Sequence, residues 1–266
     1  MTKFVIRIIC TIGISHMSAG FTRAQKYIMI SDSQITHAEM LKVKMGSKGP
    51  FKIWKMSFGE YAFVSGNRGW TTGHNTSNLF TLRTESKSTD KFSFVLTNKI
   101  NDSARVNAAN HILIQELRSF ELPLNFYLGE DALLSESKNF SAFININNDT
   151  TEIWSLLMNI ALVRDKKERY EAFLTNGTRR IFVVPVSSSN KKSGPFSLDA
   201  VGYELIENKE SLGAVQYRGP GTMALCKNLV WIKNNLEPRM QLFLAAAMTA
   251  TLQLKTSELV ETEDHA

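Results

Sequence analysis

The chain predicts an α+β layered domain. Short β-branched and aromatic runs cluster in the first seventy residues and again between 179 and 219. Apolar residues at helical spacing follow each cluster. The resulting order, strands then helices, twice over, predicts sheets covered by helices within one 266-residue chain.

The elements follow in order. "TKFVIRIICTIGISH" alternates β-branched residues as a buried strand does, and Arg7 interrupts the apolar run that a signal peptide would need. "KYIMISDS", "FKIWKM" and "EYAFVSG" predict three more strands, close enough in sequence to pair antiparallel, with "HAEMLKVKMGSKG" as a loop. "NRGWTTGHNTSN" is polar and carries two glycines, which predicts another loop.

In the middle third, "DSARVNAANHILIQELRSF" places Val106, Ala109, Ile112, Leu113, Leu117 and Phe120 at helical spacing after an Asp-Ser start. "TTEIWSLLMNIALVRDKKERYEAFL" predicts a second long helix with a charged, solvated end. "FSAFINI" and "RRIFVVPV" predict strands, "SSSNKKSGP" a loop, and "VGYELIE" with "LGAVQYRG" a hairpin around "NKES". "TMALCKNLVWIKNN" predicts a helix after a Gly-Pro-Gly turn. "EPRMQLFLAAAMTATLQL" predicts another, with Pro238 at the helix start, where its missing N–H costs nothing.

Composition narrows the function classes. Hydrophobic residues make up 43% and charged residues 21%, enough apolar material for a sizeable core. The net charge of +6 is spread along the chain and not gathered in a stripe, which argues against nucleic-acid binding. Cys10 and Cys226 are the only cysteines, no CxxC occurs, and the five histidines lack metal-ligand spacing, so neither a disulfide framework nor a metal or other cofactor is expected. No apolar run reaches eighteen residues, so no membrane-spanning helix is expected, and a cytoplasmic, reducing location fits. Trp54, Trp70, Trp154 and Trp231 read as core residues, and His74 and His111 as surface or satisfied core residues.

Several stretches together resemble proteasome β-type subunits and the HslV peptidase. They are "YIMISDSQ" with Asp32-Ser33, "KGPFKIWKM" with Lys52, "EYAFVSGN" with Ser65-Gly66, and "RGPGTMALC" with Gly219, Gly221 and Ala224. The resemblance covers about the first seventy and last fifty residues. It implies a four-layer αββα sandwich of the N-terminal nucleophile hydrolase type. The whole chain, 1–266, would then be one such domain, with a helical or irregular insertion around 71–178.

By that resemblance Thr2, exposed once Met1 is removed, would be the nucleophile and its own α-amine the general base. Thr11 and Cys10 are alternatives that need a propeptide to be cut. Lys52 would favour proton loss, Asp32 would hold Lys52, and the Gly221 N–H would meet the oxyanion. Ser257 matches the serine of the family's Asp-x-x-Ser, with Leu254 where the aspartate falls. Pro220 replaces the turn serine and removes both a hydroxyl and an N–H. The resemblance therefore implies a threonine-type peptidase or amidohydrolase with weakened or lost activity. The alternative is a non-catalytic assembly or binding protein on the same scaffold. Its partners would be further copies or related subunits, and a peptide or amide substrate if active.

Overall fold

A computed structural model describes residues 27–31, 37–46, 53–78, 81–118, 120–122, 126–128, 131–164, 168–189, 199–219 and 228–263. They form strands β1 (Ala38–Lys42), β2 (Lys44–Met45), β3 (Met56–Ser57), β4 (Ala62–Arg68), β5 (Thr72–Asn78), β6 (Arg83–Thr97), β7 (Ser103–Leu117) and β8 (Phe120–Leu122). Strands β9 (Phe126–Leu128), β10 (Ala132–Ile146), β11 (Ile153–Val163), β12 (Arg169–Thr175), β13 (Arg180–Ser187), β14 (Val201–Glu207), β15 (Glu210–Arg218) and β16 (Leu229–Lys233) follow, and helix α1 (Pro238–Glu263) comes last.

Twelve strands make one antiparallel sheet in the order β1-β16-β15-β14-β13-β12-β11-β10-β7-β6-β4, with β5 also paired to β6. β2 pairs with β3, and β8 with β9, in two small ribbons. The helix packs against β7 and β10 and also against β15 and β16, which lie well apart in the sheet order. One sheet reaches one helix from both sides only by curling around it.

The helix shows the consequence. Every residue from Leu242 to Thr256 is buried, so α1 has no solvent face there. Its polar residues are satisfied from within. The Thr249 and Thr251 hydroxyls donate to the carbonyls of Ala245 and Ala247 at 2.8 and 3.0 Å. Gln253 accepts from the Trp54 N–H and donates to the Trp54 carbonyl, tying residues 53–56 to the helix. Pro238 opens α1, as its position in the sequence requires.

This architecture corrects the αββα expectation. The described residues hold one large curled sheet and one helix, not two stacked sheets between helix layers. The two long middle segments expected to be helical are strands. In β7, Ala104, Val106 and Ala108 are buried while Arg105, Asn107 and His111 are exposed, a period of two. In β11, Trp154, Leu156 and Met158 point into the core while Ile153, Leu157 and Asn159 do not. The apolar residues at helical spacing do not alternate: Val106 and Ile112 fall on one face of β7 and Ala109, Leu113 and Leu117 on the other, and long partners on both sides make the segment a strand. β7 pairs with β6 along its whole length and with β10 from Ala104 to Leu117. "NRGWTTGHNTSN", expected as a loop, contains β5, and "HAEMLKVKMGSKG" contains β1 and β2; "TMALCKNLVWIKNN", expected as a helix, contains β16, and residues 27–31 of "KYIMISDS", expected as a strand, are not one.

One turn and one proline shape the sheet. Asn208 and Lys209 both have positive φ, 51° and 69°, in a two-residue connection between β14 and β15, the backbone twist that tight hairpins need. Pro185 sits in β13 opposite Tyr203, beyond the three residues through which β12 and β13 pair. Proline has no N–H to donate, so it suits this stretch of β13, which has no partner on the β12 side.

Candidate functional site

Among the described residues, the outside of the sheet is covered in one part and exposed in another. Over β14 to β16, residues 27–31 lie across it. The Ile28 N–H donates to buried Gln216, and Ser31 donates through its N–H and its hydroxyl to Glu204. Ile28 packs there with Ala200, Ala214, Leu229 and Trp231 as a second small core. Over β10 to β13 the apolar surface continues in the open. Leu157, Phe173, Phe182 and Ile206 stand directly opposite one another across β11, β12, β13 and β14. Phe182 is 53% and Phe143 52% exposed, beside half-exposed Val184 and Ile153. The Arg180 guanidinium lies 4.4 Å over the Phe173 ring.

Two residues along the strands, the row turns polar. His111, Asn139, Asn159 and Glu171 face one another across β7, β10, β11 and β12. Between this row and the Leu157–Phe173 row lies a groove of about 310 Å³. His111 Nδ1 is 2.9 Å from the Thr89 hydroxyl, which fixes the ring over the end of the groove. The Asn139 amide donates to Ser137 at 3.1 Å. Side-chain amides both donate and accept, so Asn139 and Asn159 suit another amide better than an ion. His111 and Glu171 stand three strand spacings apart, about 14 Å, too far for a concerted acid–base pair.

A second polar group lies inside the sheet. The Lys255 side chain is 10% exposed, pairs with Glu258 at 2.8 Å, and sits about 6 Å from the Tyr203 and Tyr217 rings. Tyr170 stacks on Tyr203, which stacks on Tyr217. Burial raises the Tyr203 and Tyr170 hydroxyl pKa values above their ordinary range, so both stay protonated at neutral pH. The Lys255 ammonium is thus held by one carboxylate and aromatic faces.

Of the residues expected to carry hydrolysis, Thr2, Asp32, Lys52 and Gly221 lie outside the described residues, as do Cys10, Thr11 and Pro220. Ser257 is half-buried near the end of α1, two residues beyond Lys255. The αββα frame that the resemblance supplied for these residues is not there. Among the described residues, no three His, Cys, Asp or Glu side chains gather as a metal site. No helix among them is long and apolar enough to cross a membrane. Trp154 and Trp231 are core, as read, but Trp70 is 84% exposed.

The outer face was missed in the sequence, though one signal for it exists. "IFVV" in β13 is apolar at four consecutive positions, so one strand carries apolar residues on both faces. Compared with known proteins, the chain matches no family model, no curated protein and no solved structure.

Proposed function

We propose that the chain is a non-catalytic binding protein that holds an extended segment of a partner polypeptide in the groove on the outer face of its sheet. One observation carries this reading: the row Leu157, Phe173 and Phe182 lies in register beside the row His111, Asn139, Asn159 and Glu171. An extended peptide has alternating side chains and a backbone of amides. Its apolar side chains would cover Leu157 and Phe173, and its amides would meet Asn139 and Asn159. The groove crosses four strands, about 14 Å, which accommodates roughly four extended residues. Exposed contiguous apolar surface rimmed by polar groups is characteristic of such sites.

The test is selection from a random peptide library displayed on phage, against the immobilised full chain. Enrichment of peptides with alternating apolar residues is expected. Their binding should drop about tenfold or more in Leu157→Ser and in Asn159→Ala, each removing contacts of order 1–2 kcal/mol. No enrichment, or peptides that bind both variants as well as the parent chain, would overturn the reading.

A further inference from the structure

The sheet ends in an edge unlike its others. β5 pairs with β6 through seven consecutive residues, Thr72 with Thr89 to Asn78 with Arg83, without a bulge. All seven residues of β5 are exposed, and among the described residues no strand lies along its other side. Edge strands are ordinarily protected by charge, proline, bulges or brevity. The opposite edge, β1, carries Glu39 and Lys42. β5 reads Thr-Gly-His-Asn-Thr-Ser-Asn: no proline, no lysine, no carboxylate.

A second feature marks the start of this edge. Thr72 lies four residues beyond Arg68, yet their partners on β6, Thr89 and Phe92, are three apart, so the chain carries one extra residue between β4 and β5. Asp90 clamps this bulge. It accepts from Arg68 Nε and Nη2 at 3.0 and 2.8 Å and from the Thr71 hydroxyl at 3.2 Å. The clamped bulge turns Trp70 out to 84% exposure beside the edge. Bulges re-aim side chains, and tryptophan is among the residues most enriched where interfaces are strongest.

We infer that β5 is a dimerisation edge, on which a second copy of this chain adds its own β5 antiparallel, forming one sheet across two copies. The sequence of β5 is compatible with itself. Paired about a two-fold axis at Asn75, Thr72 meets Asn78, Gly73 meets Ser77, and His74 meets Thr76 of the second copy. No carboxylate or ammonium is placed opposite its like. The paired length is about 24 Å, small enough for association to depend on concentration. Trp70 then covers each end of the new strand pair. This inference stands apart from the peptide groove, which lies on the face of β7 to β12 and not on the edge.

The experiment is light scattering with sedimentation over a concentration series of the full chain. A reversible dimer is expected for the parent. Asn75→Lys sets two ammonium groups opposite each other at the axis and should weaken the dimer about fivefold. Asn75→Asp should do the same, and an equimolar mixture of the two variants should regain dimer as a mixed pair. Trp70→Ala, which leaves the backbone alone, should also weaken association. A parent chain that stays monomeric throughout overturns the inference. So does a dimer indifferent to Asn75→Lys, or variants whose mixture does not recover. Circular dichroism of each variant separates loss of pairing from loss of folding, and peptide capture in the groove should be unchanged.

Discussion

Gly213 on β15 and Met248 on α1 approach so closely that a β-carbon on Gly213 would lie 2.4 Å from the Met248 methyl. It would also lie 2.7 Å from the Trp231 carbonyl oxygen. The glycine is there because sheet and helix need the space. Gly213→Ala should lower stability by about 1–3 kcal/mol through overpacking, read as a lower urea midpoint. An unchanged midpoint would mean that α1 does not run beneath β15.

The inner and outer faces of the sheet should answer differently to truncation. Phe94 is 2% exposed in the core, and Phe94→Ala should cost about 3–5 kcal/mol. Phe182→Ser removes an outward ring on β13, beside the groove, and should shift stability by no more than about 0.5 kcal/mol. Equal losses in the two variants would place Phe182 in a core.

Lys209 occupies a left-handed conformation, φ 69°, that costs a side chain about 1 kcal/mol and glycine nothing. Lys209→Gly should raise the melting temperature by about 2–4 °C. A fall would show that Lys209 makes a contact worth more than the strain.

Asp149 sits in the turn before β11, where the Thr151 hydroxyl and N–H donate to it and Arg239 binds it at 2.7 Å. The Thr151 hydrogen bonds, then that of Arg239, hold its carboxyl down to about 2 from 3.8. A carboxylate held below its unfolded value stabilises the fold fully above that value. The stabilisation disappears as pH falls through the folded pKa, here between about 4 and 2. In Asp149→Asn the acid side of the stability profile should be shallower in that window than in the parent. Profiles that run parallel below pH 4 would show that the turn does not couple to unfolding.

Elements with strong local signals were legible. Pro238 before a long run of Leu, Ala and Met announced α1, and "NKES" between two apolar runs announced the β14–β15 hairpin, whose turn narrows to Asn208-Lys209. The β-branched and aromatic runs "RRIFVVPV" and "FSAFINI" carry strand signals and lie in β13 and β10. Residues 102–120 misled because Val106, Ala109, Leu113 and Leu117 stand at helical spacing, and residues 150–174 because apolar residues fill almost every position from Ile153 to Val163 and leave no period to read. A solitary segment offers no partner to correct either reading.

The candidate site was harder still. Leu157, Phe173 and Phe182 are separated by sixteen and nine positions and become neighbours only through strand register. The residue type of Trp70 predicts a core position, yet Asp90, twenty positions later, clamps the bulge that exposes it.

By itself, then, the sequence determined the turn between β14 and β15, where the last helix starts, and that enough apolar material exists for a core. Those properties are local: positive φ, the missing N–H of proline, side-chain volume. Only the tertiary structure decided that the middle of the chain is sheet, that this sheet curls around α1, and which apolar residues remain outside. Each of these depends on the backbone hydrogen bonds of one strand finding their partners on another, and on one face being covered before the other.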